Sequence, residues 1–291
     1  MKKRNTIISL FFTMAIVLTT GCNSKEKKST ENNTSKIEVK ESPKKILRQA
    51  YQLFKEGNDE ESIRLANEVL EIGRKTNNDT LIGKALTSLC RNSQRKQDTI
   101  RLAELSAELK ALAASSGNQM WLMYRAHMNA EMWRLIGNMD RAEMYYNESM
   151  KISFETGSMG MYTIDHFNKS FVSIAKGDFK TAQELITKYY QLRKEDDSNS
   201  EDAYGLIALA YLLEQQQNYE GAHEVAEVTR RLFKEQNLFP EPPDEKPLIM
   251  VEQKVNDMLD STTLKNISEN SGSETVASLL ERYLSTTQQK Q

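Results

Sequence analysis

The strongest constraint on this chain is a period of forty residues. Ala50, Cys90, Ala130, Ser170 and Ala210 keep that spacing and are all small, while Ile72, Leu112, Ile152, Leu192 and Leu232 keep it and are all branched aliphatics. A third column holds Gly57, Gln97, Gly137, Gly177 and Gln217, and the residue after each is Asn58, Asp98, Asn138, Asp178 or Asn218. A fixed period of this length marks stacked supersecondary units, each burying an apolar face against its neighbour.

Each column has a mechanical reading. A small residue in mid-helix lets the next helix approach closely, and a larger side chain there would overpack at a cost of about 1–3 kcal/mol. Gly followed by Asn or Asp suits a tight turn between antiparallel helices, since both residue types tolerate left-handed backbone angles. Asn77-Asn78, Gly117-Asn118, Gly157-Ser158 and Asp197-Ser198 close successive units with turn chemistry. The prolines are Pro43, Pro240, Pro242, Pro243 and Pro247, so the stretch between Pro43 and Pro240 is free of them, as an array of ten helices requires.

These features resemble the tetratricopeptide repeat. Gly137-Asn138-Met139-Asp140-Arg141-Ala142, Gly177-Asp178-Phe179-Lys180-Thr181-Ala182 and Asn218-Tyr219-Glu220-Gly221-Ala222 look like its turn followed by the small residue of the second helix. Ser62 takes that place in repeat one. In repeat two Leu102 stands there with Ala103 beside it, which blurs the second helix. The usual repeat has 34 residues; the forty-residue form is similar to repeats of bacterial signalling regulators. The resemblance implies an all-α, right-handed superhelical solenoid of about five helix-turn-helix repeats over residues 44–240, followed by C-terminal capping helices and a polar tail over 241–291.

In such arrays the first helices of successive repeats line a concave groove. Carried over by position, one groove column is Lys44, Lys84, Tyr124, Ile164, Tyr204; the next is Leu47, Thr87, His127, Phe167, Ile207; the third is Tyr51, Arg91, Glu131, Phe171, Tyr211. Spacings of three, four and seven share one helix face. The candidate partner-binding residues are therefore Tyr124, His127, Glu131, Arg134, Phe167, Phe171, Tyr204 and Tyr211. The competing reading is that these rings fill space between helices, as Trp121 and Trp133 are expected to do.

The N-terminus reads as an address. Lys2, Lys3 and Arg4 precede an apolar run from Ile7 to Leu18, shorter than the ~20 residues that span a bilayer. It ends at Thr19-Thr20-Gly21-Cys22, which resembles a bacterial lipoprotein signal, with Leu18 one place earlier than usual. The resemblance implies a signal peptide over 1–21 and a lipid on Cys22. Two or more acyl chains, at about 0.8 kcal/mol per buried CH₂, anchor a protein stably. Residues 22–43 read as a polar tether. Asn23 after the cysteine resembles signals for outer-membrane sorting, which favours an outer membrane facing the periplasm over the cell membrane.

The C-terminal part is less regular. Pro240 to Pro247 is expected to break the array, and Leu248 to Leu259 has the spacing of a sixth first helix. Ser261 to Gly272 is mostly polar, and Ser273 to Leu284 reads as a short amphipathic helix.

The chemistry-bearing residues form no constellation. His127, His166 and His223 lack metal-site spacing, there is no Cys-x-x-Cys, and no glycine-rich phosphate loop is present. No cofactor, metal or catalytic residue is expected. Cys90, in the small-residue column, is expected to be a packed thiol. The formal net charge of −2 gives a nucleic-acid partner no basic background. The sequence thus points to a lipid-anchored scaffold that binds a protein or peptide segment, with a sensor or carrier of a small molecule or glycan as the alternative.

Overall fold

The computed structural model describes residues 42–195, 203–236, 240 and 242–284. The N-terminal signal, Cys22, nearly all of the tether, and Asp197-Ser198 lie outside them. The described residues form an all-helical solenoid: α1 (Pro43–Lys55), α2 (Asp59–Lys75), α3 (Asp79–Arg95), α4 (Thr99–Ser116), α5 (Met120–Leu135), α6 (Met139–Glu155), α7 (Met159–Ala175), α8 (Phe179–Glu195), α9 (Tyr204–Gln215) and α10 (Tyr219–Gln236) make five pairs. Then come α11 (Pro242–Met258), α12 (Ser261–Asn270), a short 3-10 turn and α13 (Val276–Leu284).

The small column does what its size implies. Ala50, Cys90, Ala130, Ser170 and Ala210 are all fully buried. Ser62, Leu102, Ala142, Ala182 and Ala222 are buried at the matching place in the second helices, so Leu102 is accommodated and α4 is a regular helix. Trp121 is buried over α3, where a Cβ on Gly83 would lie 2.5 Å from its ring. Trp133 is half-buried, with the Arg141 guanidinium 4.4 Å from its ring centroid.

The turns work differently from the sequence expectation. Only the first residue of each Gly-Asx pair is left-handed: Gly57, Gln97, Gly137, Gly177 and Gln217 have φ between 54° and 85°. The Asx residue has negative φ at Asn58, Asp98 and Asn138. All five Asx side chains instead accept the backbone N–H three residues on, which caps the second helix. Its own N–H returns to the carbonyl five residues back, as from Asn58 to Leu53 at 2.9 Å, closing a Schellman motif.

First helices pack on first helices, α1 with α3, α3 with α5, α5 with α7 and α7 with α9, whereas second helices make no comparable contacts with each other. The stack therefore curves towards its first-helix side.

The C-terminal part departs from expectation. A helix starts at Pro242 rather than at Leu248 and carries Pro247 within it. Pro242 and Pro243 stand in the first turn, where the N–H groups have no intrahelical partner, whereas Pro247 lies beyond it and forgoes one bond of the helix. Beyond Pro247 the helix is held by Leu248, Val251 and Val255, which are buried in the same core as α9 and α10. The polar stretch Ser261–Asn270 is also helical, capped by Asp260. It packs on α10, where Leu264 O and Ser268 Oγ lie 3.2 Å from His223 Nε2. The segment α11–α13 thus covers the last pair.

Helix α11 does not continue the solenoid. Met250 stands forty residues after Ala210, yet it is 47% exposed where every earlier member of its column is fully buried. Asp244 stands forty after Tyr204 but bonds to Arg134, ten residues beyond the Tyr124 position of α5, about 15 Å further along the helix axis. The helix crosses the first-helix side instead of extending it.

Candidate functional site

The most chemically loaded region lies where α5, α7 and α11 meet. Glu131 and Arg134, one turn apart on α5, are joined at 2.8 Å with both side chains buried. Arg134 also donates to Asp244 Oδ1 of α11 at 3.0 Å, and its guanidinium lies 4.9 Å from the centroid of Phe171. Tyr146 of α6 donates its hydroxyl to Glu131. One turn before Glu131, His127 Nδ1 lies 2.7 Å from Asp165 Oδ1 of α7. The second oxygen of Asp165 is buried with no partner among the described residues.

Burial alone would make these charges costly, and it is their mutual arrangement that retains them. Burial pushes the Glu131 carboxyl up, but Arg134 and His127 beside it bring its pKa below the usual carboxylate range. Burial pushes His127 down, and the Asp165 carboxylate more than compensates, so the imidazole is held above its ordinary value. Burial pushes the Cys90 thiol up to about 12, so it packs as an apolar group and is not a nucleophile at neutral pH.

Beside this network is a cavity of about 230 Å³. Arg134, Phe171 and Tyr211 form the wall from the repeats, and Lys246, Pro247 and Met250 of α11 close it. Phe171 and Tyr211 have ring centroids 6.3 Å apart, and Phe167 packs edge-on to Phe171 at 5.0 Å.

The structure brings together His127, Glu131, Arg134, Phe167, Phe171 and Tyr211 from the candidate list. Phe167 and Phe171 are core residues, 5% and 3% exposed, while Tyr211 is half-buried. Tyr124 and Tyr204 stand apart: Tyr124 packs on Trp121 at 6.1 Å and Tyr204 on Phe233 at 5.2 Å. Sequence reasoning missed Asp165, Tyr146 and Asp244. Asp165 carried a signal, being the only acidic residue of α7 in a helix otherwise rich in apolar and small polar residues. Tyr146 lies on a second helix, outside every groove column; Asp244 falls one period beyond Tyr204, in the proline-bounded stretch expected to break the array.

Among the described residues, no group of three His, Cys, Asp or Glu is placed to hold a metal ion. No described helix is long and apolar enough to cross a membrane. No protein-family model matches the chain, and comparison with curated proteins gives no match.

Proposed function

We propose that the chain is a tetratricopeptide-like, lipid-anchored scaffold of the bacterial cell envelope whose first-helix side binds a protein segment. One observation carries the reading of the binding face. That side already holds a helix outside the repeat register, α11, through the Asp244–Arg134 ion pair and the contacts of Pro247 and Met250 around the cavity. A face that receives an acidic-ended, partly apolar helix from its own chain has the chemistry to receive one from another protein: a desolvated arginine, stacked rings and methionine surface. The lipid anchor rests on the Gly21-Cys22 motif alone.

Ile164 on the first-helix side is 45% exposed and Phe154 at the end of a second helix is 66% exposed, so a charge at either leaves the core intact. Affinity isolation from membranes should recover a protein that is lost with Ile164→Asp and Tyr211→Asp and retained with Phe154→Asp. Retention of the same protein by all three variants would refute the assignment of the face.

The cavity favours a second reading, a carrier or sensor of a small ligand with apolar and anionic parts, since rings, methionines, Arg134 and Lys246 surround it. Thermal stabilisation of the full chain by such a ligand, abolished by Met250→Trp, would select that reading over the first.

A further inference from the structure

The first-helix side changes character along the stack. In repeats three to five it is aromatic and partly covered by α11; in repeats one and two it is exposed and basic. Helix α1 contains Lys44, Lys45, Arg48 and Lys55 and no acidic residue, in a chain whose formal charge is −2. Lys44, Arg48, Tyr51 and Lys55 follow spacings of four, three and four, which puts them on one face. Lys84 and Arg91 of α3 stand forty residues after Lys44 and Tyr51 and continue that face in the next repeat.

The two helices present one surface. The Tyr51 ring, 38% exposed, has Lys55 Nζ at 5.4 Å and the Arg91 guanidinium at 5.1 Å from its centroid. Among the described residues, none of Lys44, Arg48, Lys55, Lys84 and Arg91 is in an ion pair. Several cations elsewhere are matched, among them Arg64 with Glu61, Arg125 with Glu148, Lys176 with Asp140 and Glu143, and Arg230 with Glu252. What sets this face apart is that five cations without a carboxylate partner among the described residues share it, two of them at one ring. The arrangement opposes the stability of the protein alone. Lys44 and Arg48 are like charges four residues apart, and Lys44 sits in a first turn, where the helix dipole is already positive.

We propose that this face is a docking surface for an acidic peptide segment. The proposal deepens the segment-binding reading and rests on it, naming the chemistry of the partner at the N-terminal end of the same side. Lys44 to Lys55 spans about 16 Å along the helix, the reach of about five extended residues. The segment therefore carries several carboxylates within such a stretch, with an aromatic or aliphatic residue to lie on Tyr51. Tyr51 and Arg91 lie on the inward side of the curve, which a narrow chain enters.

The test uses the full chain and a fluorescein-labelled peptide containing six consecutive glutamates and a tyrosine, followed by fluorescence anisotropy. The expected result is saturable binding that weakens with salt and falls by about tenfold or more with Lys84→Glu combined with Arg91→Glu. The same peptide should bind normally to a control with Lys110→Glu and Lys180→Glu, which lie on second helices. Circular dichroism melts of both variants establish that they fold, and Tyr51→Ala, which leaves every charge in place, should weaken binding by itself. Unchanged affinity in the Lys84/Arg91 variant overturns the proposal. So does inorganic polyphosphate competing as well as the peptide, which would show mere polyanion attraction, or tighter binding to phosphatidylglycerol vesicles than to the peptide, which would make the surface a membrane contact. Ile164 and Tyr211 belong to other repeats, so failure of the capture experiment and failure of this one are separately visible.

Discussion

Replacing Arg134 with Met isolates the energetics of the buried network. The wild-type side chain is 6% exposed and pairs with Glu131 at 2.8 Å and Asp244 at 3.0 Å. Methionine preserves much of the packing on Phe171 but leaves the Glu131 carboxylate, 11% exposed, with the Tyr146 hydroxyl as its remaining close donor. Removing one partner of a buried pair costs about 3–5 kcal/mol, because the other charge is left desolvated. Adding Glu131→Gln removes that charge, and the double variant should recover about 2 kcal/mol of the loss. The penalty should also depend on pH. In the wild type the Glu131 pKa is depressed, so its contribution is present above the ordinary carboxylate value of 4.5 and lost as pH falls through the lower folded value. Without Arg134 burial dominates and the pKa rises, so the variant binds the proton more readily folded than unfolded. The gap between variant and wild type should therefore be widest near neutrality and narrow at acid pH. Urea unfolding followed by circular dichroism at two pH values measures this. A double variant no more stable than Arg134→Met, or a gap independent of pH, would show that the unpaired Glu131 charge is not the source of the loss.

Other consequences follow from single positions. Gln97 and Gln217 occupy left-handed turn sites with φ of 54° and 63°, so changing either to Gly should stabilise the protein by about 1 kcal/mol, read as a rise in the urea midpoint. Gly83→Ala should destabilise by about 1–3 kcal/mol, because the added methyl meets the Trp121 ring; an unchanged melting temperature would count against the packing described. His127 is held above the ordinary histidine value, so its stabilising pair with Asp165 is fully present below about pH 6.5 and lost as pH rises through the folded value. His166, lowered chiefly by burial, acts with opposite sign, so His127→Gln and His166→Gln should change the slope of stability against pH in opposite directions. NMR titration of the two imidazoles gives the pKa values directly.

The repeat was legible because forty-residue spacing acts on every unit alike. Ala50 and Ala210 meet the same close approach, and Gly57 and Gln217 the same turn. The role of Asn58 and its equivalents was misread, since Asx suits a left-handed turn and a helix cap equally, and only the backbone angles separate them. The path of α11 was not legible. Its local pattern, with Leu248, Val251 and Val255 apolar, fits a sixth first helix; its path is marked by the tertiary pairing of Asp244 with Arg134 of α5, beyond both α9 and α7, which local pattern does not encode. For the same reason the candidate site was half visible. Residues on a single helix, such as His127, Glu131 and Arg134, follow from helical spacing, whereas Asp165, Tyr146 and Asp244 reach them from other helices. The aromatic column also mixed two roles. Phe167 and Phe171 pack in the core, and Tyr211 keeps an edge to the cavity, a distinction set by how closely α7 and α9 approach.

The first-helix side is the proposed site at which this protein meets its partner. A photo-crosslinking amino acid placed in living cells at Tyr51, Ile164 or Tyr211, and separately at Lys110 or Phe154 on second helices, tests it most directly. Crosslinks to a common protein from the first-helix positions, with none from the second-helix positions, are the expected result. Crosslinks confined to Lys110 and Phe154 would place the partner on the second-helix side instead.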